Sequence, residues 1–203
     1  MQPMSKNAPS VRYAEVDRET AETTIHAVLD LDGGTRQDIS TGIGFFDHML
    51  HQMAFHGCLN LGISVEGDLN VDDHHTVEDV GIVLGRAIRQ ALQGEPIERY
   101  SSNHTAMDDA LVLIALDLSG RGILTFDAPF QREKIGELST ECVKEFFRAL
   151  CNHGGITLHI HKVSGENDHH LCEAIFKGFG RALCAATRTS DRRGPTSTKG
   201  KLD

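Results

Sequence analysis

An α+β fold built from two repeated halves is predicted by three features of the 203-residue sequence. An Asp-His-His-x-x-Glu motif occurs twice, at residues 73–78 and 168–173, so the two copies lie 95 residues apart. Both copies continue into Gly-Arg-Ala, at residues 85–87 and 180–182. In each half a predicted helix and then a predicted strand precede the motif. We therefore expect internal duplication of two half-domains, each a small mixed β-sheet backed by two helices.

The elements of the first half are indicated by their hydrophobic periodicity. Apolar and polar residues alternate over 24–31 and 59–66, which predicts two strands. Between them, apolar residues at helical spacing predict a helix from Phe45 to Gly57, with the glycine as its C-cap. A second predicted helix begins at the first His-His motif and ends near residue 94.

The second half repeats this order of elements. Apolar runs at 110–118 and 122–126 predict strands, a helix runs from about Leu138 to Gly154, and residues 156–161 alternate as a strand before the second His-His helix. We expect a single domain with a first half at about 11–95, a second at about 96–190, and a C-terminal substrate-closing tail at 191–203.

The His-His motif has a chemical meaning if it opens a helix. Asp73 and Asp168 would be N-caps, and His74 and Glu78 would stand at i and i+4 on one face. His75 points about 100° away and could serve a different partner. Imidazole and carboxylate together suit zinc, manganese, iron or nickel. One isolated copy could equally be a solvated helix start, but two copies in register favour a metal site.

The repeat also supplies ligands upstream of each motif. Aligning Gly57 with Gly154 places His48 opposite Glu145 on the preceding helix of each half. Duplication then predicts two pseudo-symmetric metal sites rather than one. The eight candidate ligands are His48, His74, His75, Glu78, Glu145, His169, His170 and Glu173.

Composition restricts the partners and the compartment. A net charge of −9 argues against nucleic acid or an anionic membrane surface as the main partner, and no stretch approaches the length of a membrane span. The five cysteines are odd in number and form no C-x-x-C pair, which predicts reduced thiols in a cytoplasmic protein.

Two further regions have alternative interpretations from the residues themselves. Glu22 stands at the start of a predicted strand and would ordinarily be an exposed carboxylate. The polar, basic segment after Arg188 is either a frayed tail or a flap in which residues 197–199 fold over an anionic substrate.

Four segments together resemble the imidazoleglycerol-phosphate dehydratase family, in its monofunctional form, from about residue 11 to 202. They are Gly-Phe-Phe-Asp-His-Met-Leu at 44–50, Asp-Asp-His-His-Thr-x-Glu-Asp at 72–79, Asp-Leu-Ser-Gly-Arg at 117–121, and Asn-Asp-His-His-x-x-Glu-Ala-x-Phe-Lys at 167–177. The resemblance implies two manganese ions held by the eight candidate ligands. It also implies a homo-oligomeric shell, a 24-mer, with the metal sites between subunits.

The resemblance further implies a hydro-lyase of histidine biosynthesis that converts D-erythro-imidazoleglycerol phosphate to imidazole-acetol phosphate. Two metal ions would bind the imidazole or imidazolate ring and the diol of the substrate. The residues that the resemblance implies to be catalytic are Glu22, His48, His74, His75, Glu78, His169, His170 and Glu173. Glu22 becomes an acid/base or substrate-positioning group. By the same matching, the substrate and phosphate contacts are Glu22, Gln52, His56, Arg99, Arg121, Lys177, Ser197 and Lys199.

The sequence departs from the family pattern at several positions. Glu145 stands where many relatives have His, a change that preserves a metal ligand. Ala-Met-Asp-Asp at 106–109 replaces Pro-Met-Asp-Glu, which leaves the role of an atypical loop at 101–109 open. A metal-dependent hydrolase of a phosphorylated small molecule and a non-catalytic metal-storage shell are the alternative functions. The arginines and lysines argue against storage, since a metal store needs no phosphate contacts.

Overall fold

The computed structural model describes residues 12–92 and 96–190. In chain order the first half comprises β1 (Tyr13–Glu19), β2 (Thr23–Asp30), β3 (Gln37–Ser40), α1 (Gly44–His56), β4 (Asn60–Gly67) and α2 (His74–Ala91). The second comprises β5 (Tyr100–Met107), β6 (Ala110–Asp117), β7 (Ile123–Asp127), β8 (Lys134–Ile135), β9 (Leu138–Ser139), α3 (Thr140–Gly154), β10 (Thr157–Ser164) and α4 (Asp168–Ala186).

Each half forms a four-stranded mixed sheet of the same topology. The first sheet has the order β1-β2-β4-β3 and the second β5-β6-β10-β7. In both sheets three strands are antiparallel and the fourth pairs in parallel, β3 with β4 and β7 with β10. The predicted α+β fold of two half-domains, each with a small mixed sheet backed by helices, is confirmed.

The helices pair across the two halves. α2 packs on the first sheet and α4 on the second, while α2 also packs along α3 and α1 along α4. The core between them contains five fully buried phenylalanines, whose neighbouring ring centroids lie about 5–6 Å apart. They are Phe46, Phe146, Phe147, Phe176 and Phe179. A helix of one half therefore presents its side chains to a helix of the other.

Glycines allow the paired helices to approach closely. A Cβ atom at Gly85 of α2 would lie 2.6 Å from the carbonyl oxygen of Leu150 in α3, and one at Gly180 of α4 would lie 3.0 Å from the amide nitrogen of Gly57 at the end of α1. Both contacts leave no room for a side chain. The Gly-Arg-Ala repeat thus marks the two helix crossings.

Several sequence expectations need correction. Residues 101–109 are an edge strand and a turn rather than a loop, because β5 pairs along its length with β6. α3 begins at Thr140, two residues later than predicted, because Leu138 and Ser139 form β9. β1 and β3, which the periodicity did not indicate, complete the first sheet.

The helix caps agree with prediction in part. Asp73 is the N-cap residue of α2, as predicted, but its carboxylate accepts hydrogen bonds from the Ser139 amide and hydroxyl and makes no capping hydrogen bond to the helix. The N-cap of α4 is Asn167, whose side chain accepts from the amides of His169 and His170. Asp168 is the first residue inside α4, and its carboxylate accepts from the amides of residues 131 and 132.

Within the two described ranges, no helix is long and apolar enough to cross a membrane.

Candidate metal centre and substrate site

One group of three ligand side chains comes together within the described part of the chain. His48 of α1 meets His169 and Glu173 of α4, with all three ligand atoms within 4.8 Å of one another. The Glu173 carboxylate lies 3.3 Å from His169 Nε2 and 3.9 Å from His48 Nε2. Because α1 pairs with α4, the upstream ligand of one half joins the motif of the other half.

Glu173 is buried and charged, which makes this group unusual for a protein interior. Lys177 Nζ lies 2.5 Å from Glu173 Oε1, one helical turn further along α4. Burial of Glu173 opposes its ionisation, but Lys177, His48 and His169 outweigh burial and hold the pKa of the carboxyl below its ordinary value. A carboxylate therefore faces two imidazoles at neutral pH.

The pseudo-symmetric residues lie on α2 and α3. His74 Nε2 is 3.9 Å from Glu78 Oε2, and both side chains are partly exposed. Glu145 lies on the adjacent helix α3, where its carboxylate accepts a 2.6 Å hydrogen bond from Arg148. Within the described residues, the ligand atoms of His74, Glu78 and Glu145 do not all lie within 4.8 Å of one another, whereas those of His48, His169 and Glu173 do.

The second histidine of each motif points elsewhere, as the helical spacing predicted. His75 Nδ1 is 3.0 Å from Asp68 and its Nε2 is 3.7 Å from Glu22. The hydrogen bond to Asp68 and the charge of Glu22 raise the pKa of His75. Glu22 is exposed directly before β2, so its position at the strand start is as expected.

His170 has the same arrangement in the second half. Its Nδ1 is 2.7 Å from Asp109, and its Nε2 is 3.2 Å from Asp108 in the turn between β5 and β6. Asp109 also accepts from the backbone amides of Glu166 and Asn167. Those amides and His170 hold the pKa of Asp109 well below its usual range.

These aspartates are functional candidates that the sequence reasoning missed. The repeat gave no signal for them, because Asp68 follows β4 whereas Asp109 lies in the turn between β5 and β6, and these two places are not equivalent in the two sheets. In both halves the aspartate binds Nδ1, so Nε2 is the nitrogen available to a metal.

The expected phosphate contacts do not all converge in one chain. Arg99 is buried at the start of β5, with a positive φ of 73°, and forms a bidentate pair with Asp117 at 2.7 and 3.2 Å. Lys177 lies 3.4 Å from the sulfur of Met107 at the other end of β5. The first and last residues of β5 are seven residue steps apart, which corresponds to about 23 Å along an extended strand. Arg121 is exposed after β6, near the Arg99 end.

The remaining predicted contacts lie near α1. Gln52 is partly buried on α1, and His56 ends that helix. Burial lowers the pKa of His56, as do the nearby Lys177 and Arg181. Ser197, Lys199 and the predicted closing tail lie outside the described residues.

The fold and the histidine–carboxylate group define a duplicated α+β protein with a candidate metal centre at a helix pair. The family model described as imidazoleglycerol-phosphate dehydratase matches residues 41–183. The chain belongs to the imidazoleglycerol-phosphate dehydratase family.

Individual relatives agree with this assignment. The imidazoleglycerol-phosphate dehydratase of Acetivibrio thermocellus is 55% identical over 193 residues, which cover 94% of this chain and 99% of that protein. Crystal structures of the enzyme from Pyrococcus furiosus, in complex with (S)-C348, and from Staphylococcus aureus are each 37% identical. Their TM-scores are 0.82 and 0.80, and the matches cover 92% and 88% of this chain and 100% and 99% of theirs, respectively.

Proposed function

We propose that this protein dehydrates imidazoleglycerol phosphate to imidazole-acetol phosphate in histidine biosynthesis, as a metal-dependent hydro-lyase. The observation that carries the proposal is the meeting of His48, His169 and Glu173 between α1 and α4, in a chain of this family. No organic cofactor is needed for the reaction, which removes water from a diol beside an imidazole.

Two manganese ions fit the donor set. His48, His169 and Glu173 would hold one ion, and His74, Glu78 and Glu145 the other. Mixed imidazole and carboxylate ligands suit manganese. Anchoring of His75 and His170 through Nδ1 leaves their Nε2 atoms as further ligands, which is the usual outer-sphere arrangement of a metal-binding histidine.

The bound ions would supply Lewis acidity toward the imidazole ring and the diol of the substrate. The protein residues then position the substrate and move protons. Glu22 lies 3.7 Å from the ligand nitrogen of His75, so it would lie beside a substrate held there and can exchange the C2 proton. Asp108 occupies the corresponding place beside His170 at 3.2 Å.

The substrate phosphate would be held by cationic side chains away from the reacting carbons. Arg99, Arg121 and Lys177 are the candidates in the described residues, with Ser197 and Lys199 proposed from the tail. Gln52 and His56 would contact the substrate beside the first metal group. Such remote binding orients the carbons that react.

We further propose that the active site assembles between copies of the chain in a 24-subunit shell. Arg99 and Lys177 lie at opposite ends of β5, so a single phosphate cannot reach both within one chain. His75 and His170 likewise point away from the His48 group. A neighbouring copy would bring the missing ligands and cations together.

The test is dehydration of imidazoleglycerol phosphate by metal-stripped protein before and after manganese is added. We expect activity only with manganese, at about two ions per chain. His169→Ala should lose metal and activity together, and His159→Ala, a histidine on β10 outside the metal group, should retain both. Metal binding without dehydration would refute the proposed reaction and favour the metal-dependent hydrolase.

A further inference from the structure

Two cysteines lie at the end of the α1–α4 pair remote from the metal group. Cys58 follows Gly57, the C-cap of α1, and is exposed, while Cys184 is partly exposed near the end of α4. Both are free thiols, 126 residues apart in sequence. No role in the proposed dehydration involves either one.

The helix crossing brings these two positions together. α4 touches the end of α1 at Gly180, where a Cβ atom would lie 3.0 Å from the Gly57 amide nitrogen. Cys184 follows Gly180 by one helical turn on the same face, and Cys58 follows Gly57. The Cys184 thiol lies within hydrogen-bonding reach of the Cys58 thiol. Burial and the neighbouring Cys58 thiol raise the pKa of Cys184, and the charges of Arg188 and Arg12 oppose that rise only in part.

The backbone at Cys58 is unusual for a side chain of this kind. Its φ of 54° is in the left-handed region, and its counterpart in the other half, by the helix-end alignment of Gly57 with Gly154, is Gly155 with a φ of 65°. Glycine adopts this conformation without the cost that a Cβ atom brings. The counterpart of Cys184 is Arg89, so the thiol pair is a feature of one half alone.

We propose that Cys58 and Cys184 form a reversible oxidation site that closes to an intramolecular disulfide, with hydrogen peroxide as the oxidant. The exposed Cys58 thiol loses its proton, and its sulfur attacks a peroxide oxygen, which breaks the O–O bond. Cys58 becomes a sulfenic acid and one water leaves. The Cys184 sulfur then attacks the Cys58 sulfur, displacing a second water. The two sulfurs are oxidised and the peroxide is reduced to two waters.

The other cysteines provide an internal contrast. Cys142, Cys151 and Cys172 are buried. Burial raises the pKa of Cys142 and of Cys151 to about 12, so neither supplies a thiolate at neutral pH. Oxidation should therefore be confined to the Cys58–Cys184 pair.

The disulfide would tie together the two helices that hold His48, His169 and Glu173. It would lie about ten residues, or roughly 15 Å, along the helices from those side chains, so it should stabilise the pair without touching them. Closing so long a loop restricts the unfolded chain. The inference does not depend on the proposed dehydration.

The experiment is treatment of the full-length protein with hydrogen peroxide, alkylation of remaining thiols, and digestion without reductant. We expect a mass lower by two hydrogens, a peptide pair linking Cys58 to Cys184, and reversal by dithiothreitol. Thermal unfolding of the oxidised protein should shift upward by several degrees.

Two variants make the test specific. Cys58→Gly keeps the left-handed turn and Cys184→Ala keeps the helix, and neither should form the linked peptides or gain thermal stability on oxidation. Unlinked Cys58 and Cys184 after oxidation of the unaltered protein would overturn the proposal. A crosslink between chains, or oxidation of Cys58 to the sulfonic acid alone, would overturn it equally.

Discussion

The two histidines of each motif have different tasks at the scale of single residues. The first, His74 or His169, shares its helix face with the glutamate one turn later. The second, His75 or His170, is held through Nδ1 by an aspartate from a neighbouring turn. That hydrogen bond holds the ring through Nδ1, so Nε2 is the nitrogen available to the proposed metal.

Asp109→Asn tests this role. The asparagine can still accept from the amides of residues 166 and 167, but its NH₂ group donates to His170 Nδ1 and forces the proton onto Nε2. We expect manganese affinity to fall by about 10–100-fold with the fold retained. Metal content and affinity are measured by titration of metal-stripped protein.

Asp127→Asn is the matched control. Asp127 faces a histidine outside the metal group, with 3.5 Å between its carboxylate and His161 Nδ1. This variant should bind manganese as the unaltered protein does. Equal affinity in Asp109→Asn and Asp127→Asn would contradict an orienting role for Asp109.

At the scale of elements, the sequence predicted what depends on local periodicity. The helices carrying His48 and the two motifs were identified, because their buried faces repeat at helical spacing. β5 was missed because its residues are mostly polar, and its pairing with β6 makes it a strand. The contact of His48 with His169 and Glu173 could not be predicted, because it depends on the packing of α1 against α4 and not on the residue spacing within either helix.

The helix crossings can be tested at Gly85. A Cβ atom there would meet Leu150 O at 2.6 Å and Gly154 N at 2.8 Å, so Gly85→Ala should destabilise the fold by about 1–3 kcal/mol. Gly44→Ala is the control, because a Cβ at this position of α1 meets nothing within 4 Å. Its stability should be unchanged or raised by up to about 1 kcal/mol. Thermal unfolding at equal protein concentration would show no difference between the variants if Gly85 were not a contact point.

The end of α3 should contribute a pH dependence to stability. Burial lowers the pKa of His153 below 6.5, and Arg86 and Arg18 lower it further against the opposing charges of Glu78 and Asp79. The unfolded chain therefore binds more protons below pH 6.5, so stability falls as the pH is lowered through that value and levels off below the folded pKa. His153→Gln should show a shallower fall in unfolding midpoint between pH 7 and pH 5. An unchanged slope would contradict this assignment.

At the scale of the whole molecule, the candidate metal ligands and substrate contacts of the described chain do not all lie at one place. One candidate metal group is assembled, but His75, His170 and the cations at the two ends of β5 face different regions of the surface. The two copies of the motif, which supply two sets of candidate ligands, also place those sets on different helices. A site shared between copies of the chain accounts for both features, and it makes a prediction that an intrachain site does not.

The prediction is complementation between two inactive variants. His169→Ala damages the group that His48 belongs to, and His75→Ala removes a ligand proposed to come from a neighbouring copy. Chains with each substitution, co-expressed with different tags and purified through both, should regain manganese binding and dehydratase activity that neither variant shows alone. A mixed assembly of His169→Ala with Glu173→Ala is the control, because both changes damage the same group in every chain and should restore nothing. If the His169→Ala and His75→Ala mixture also stays inactive while assembling normally, the ligands belong to one chain, and the distances between His75 and the His48 group must close by movement within it.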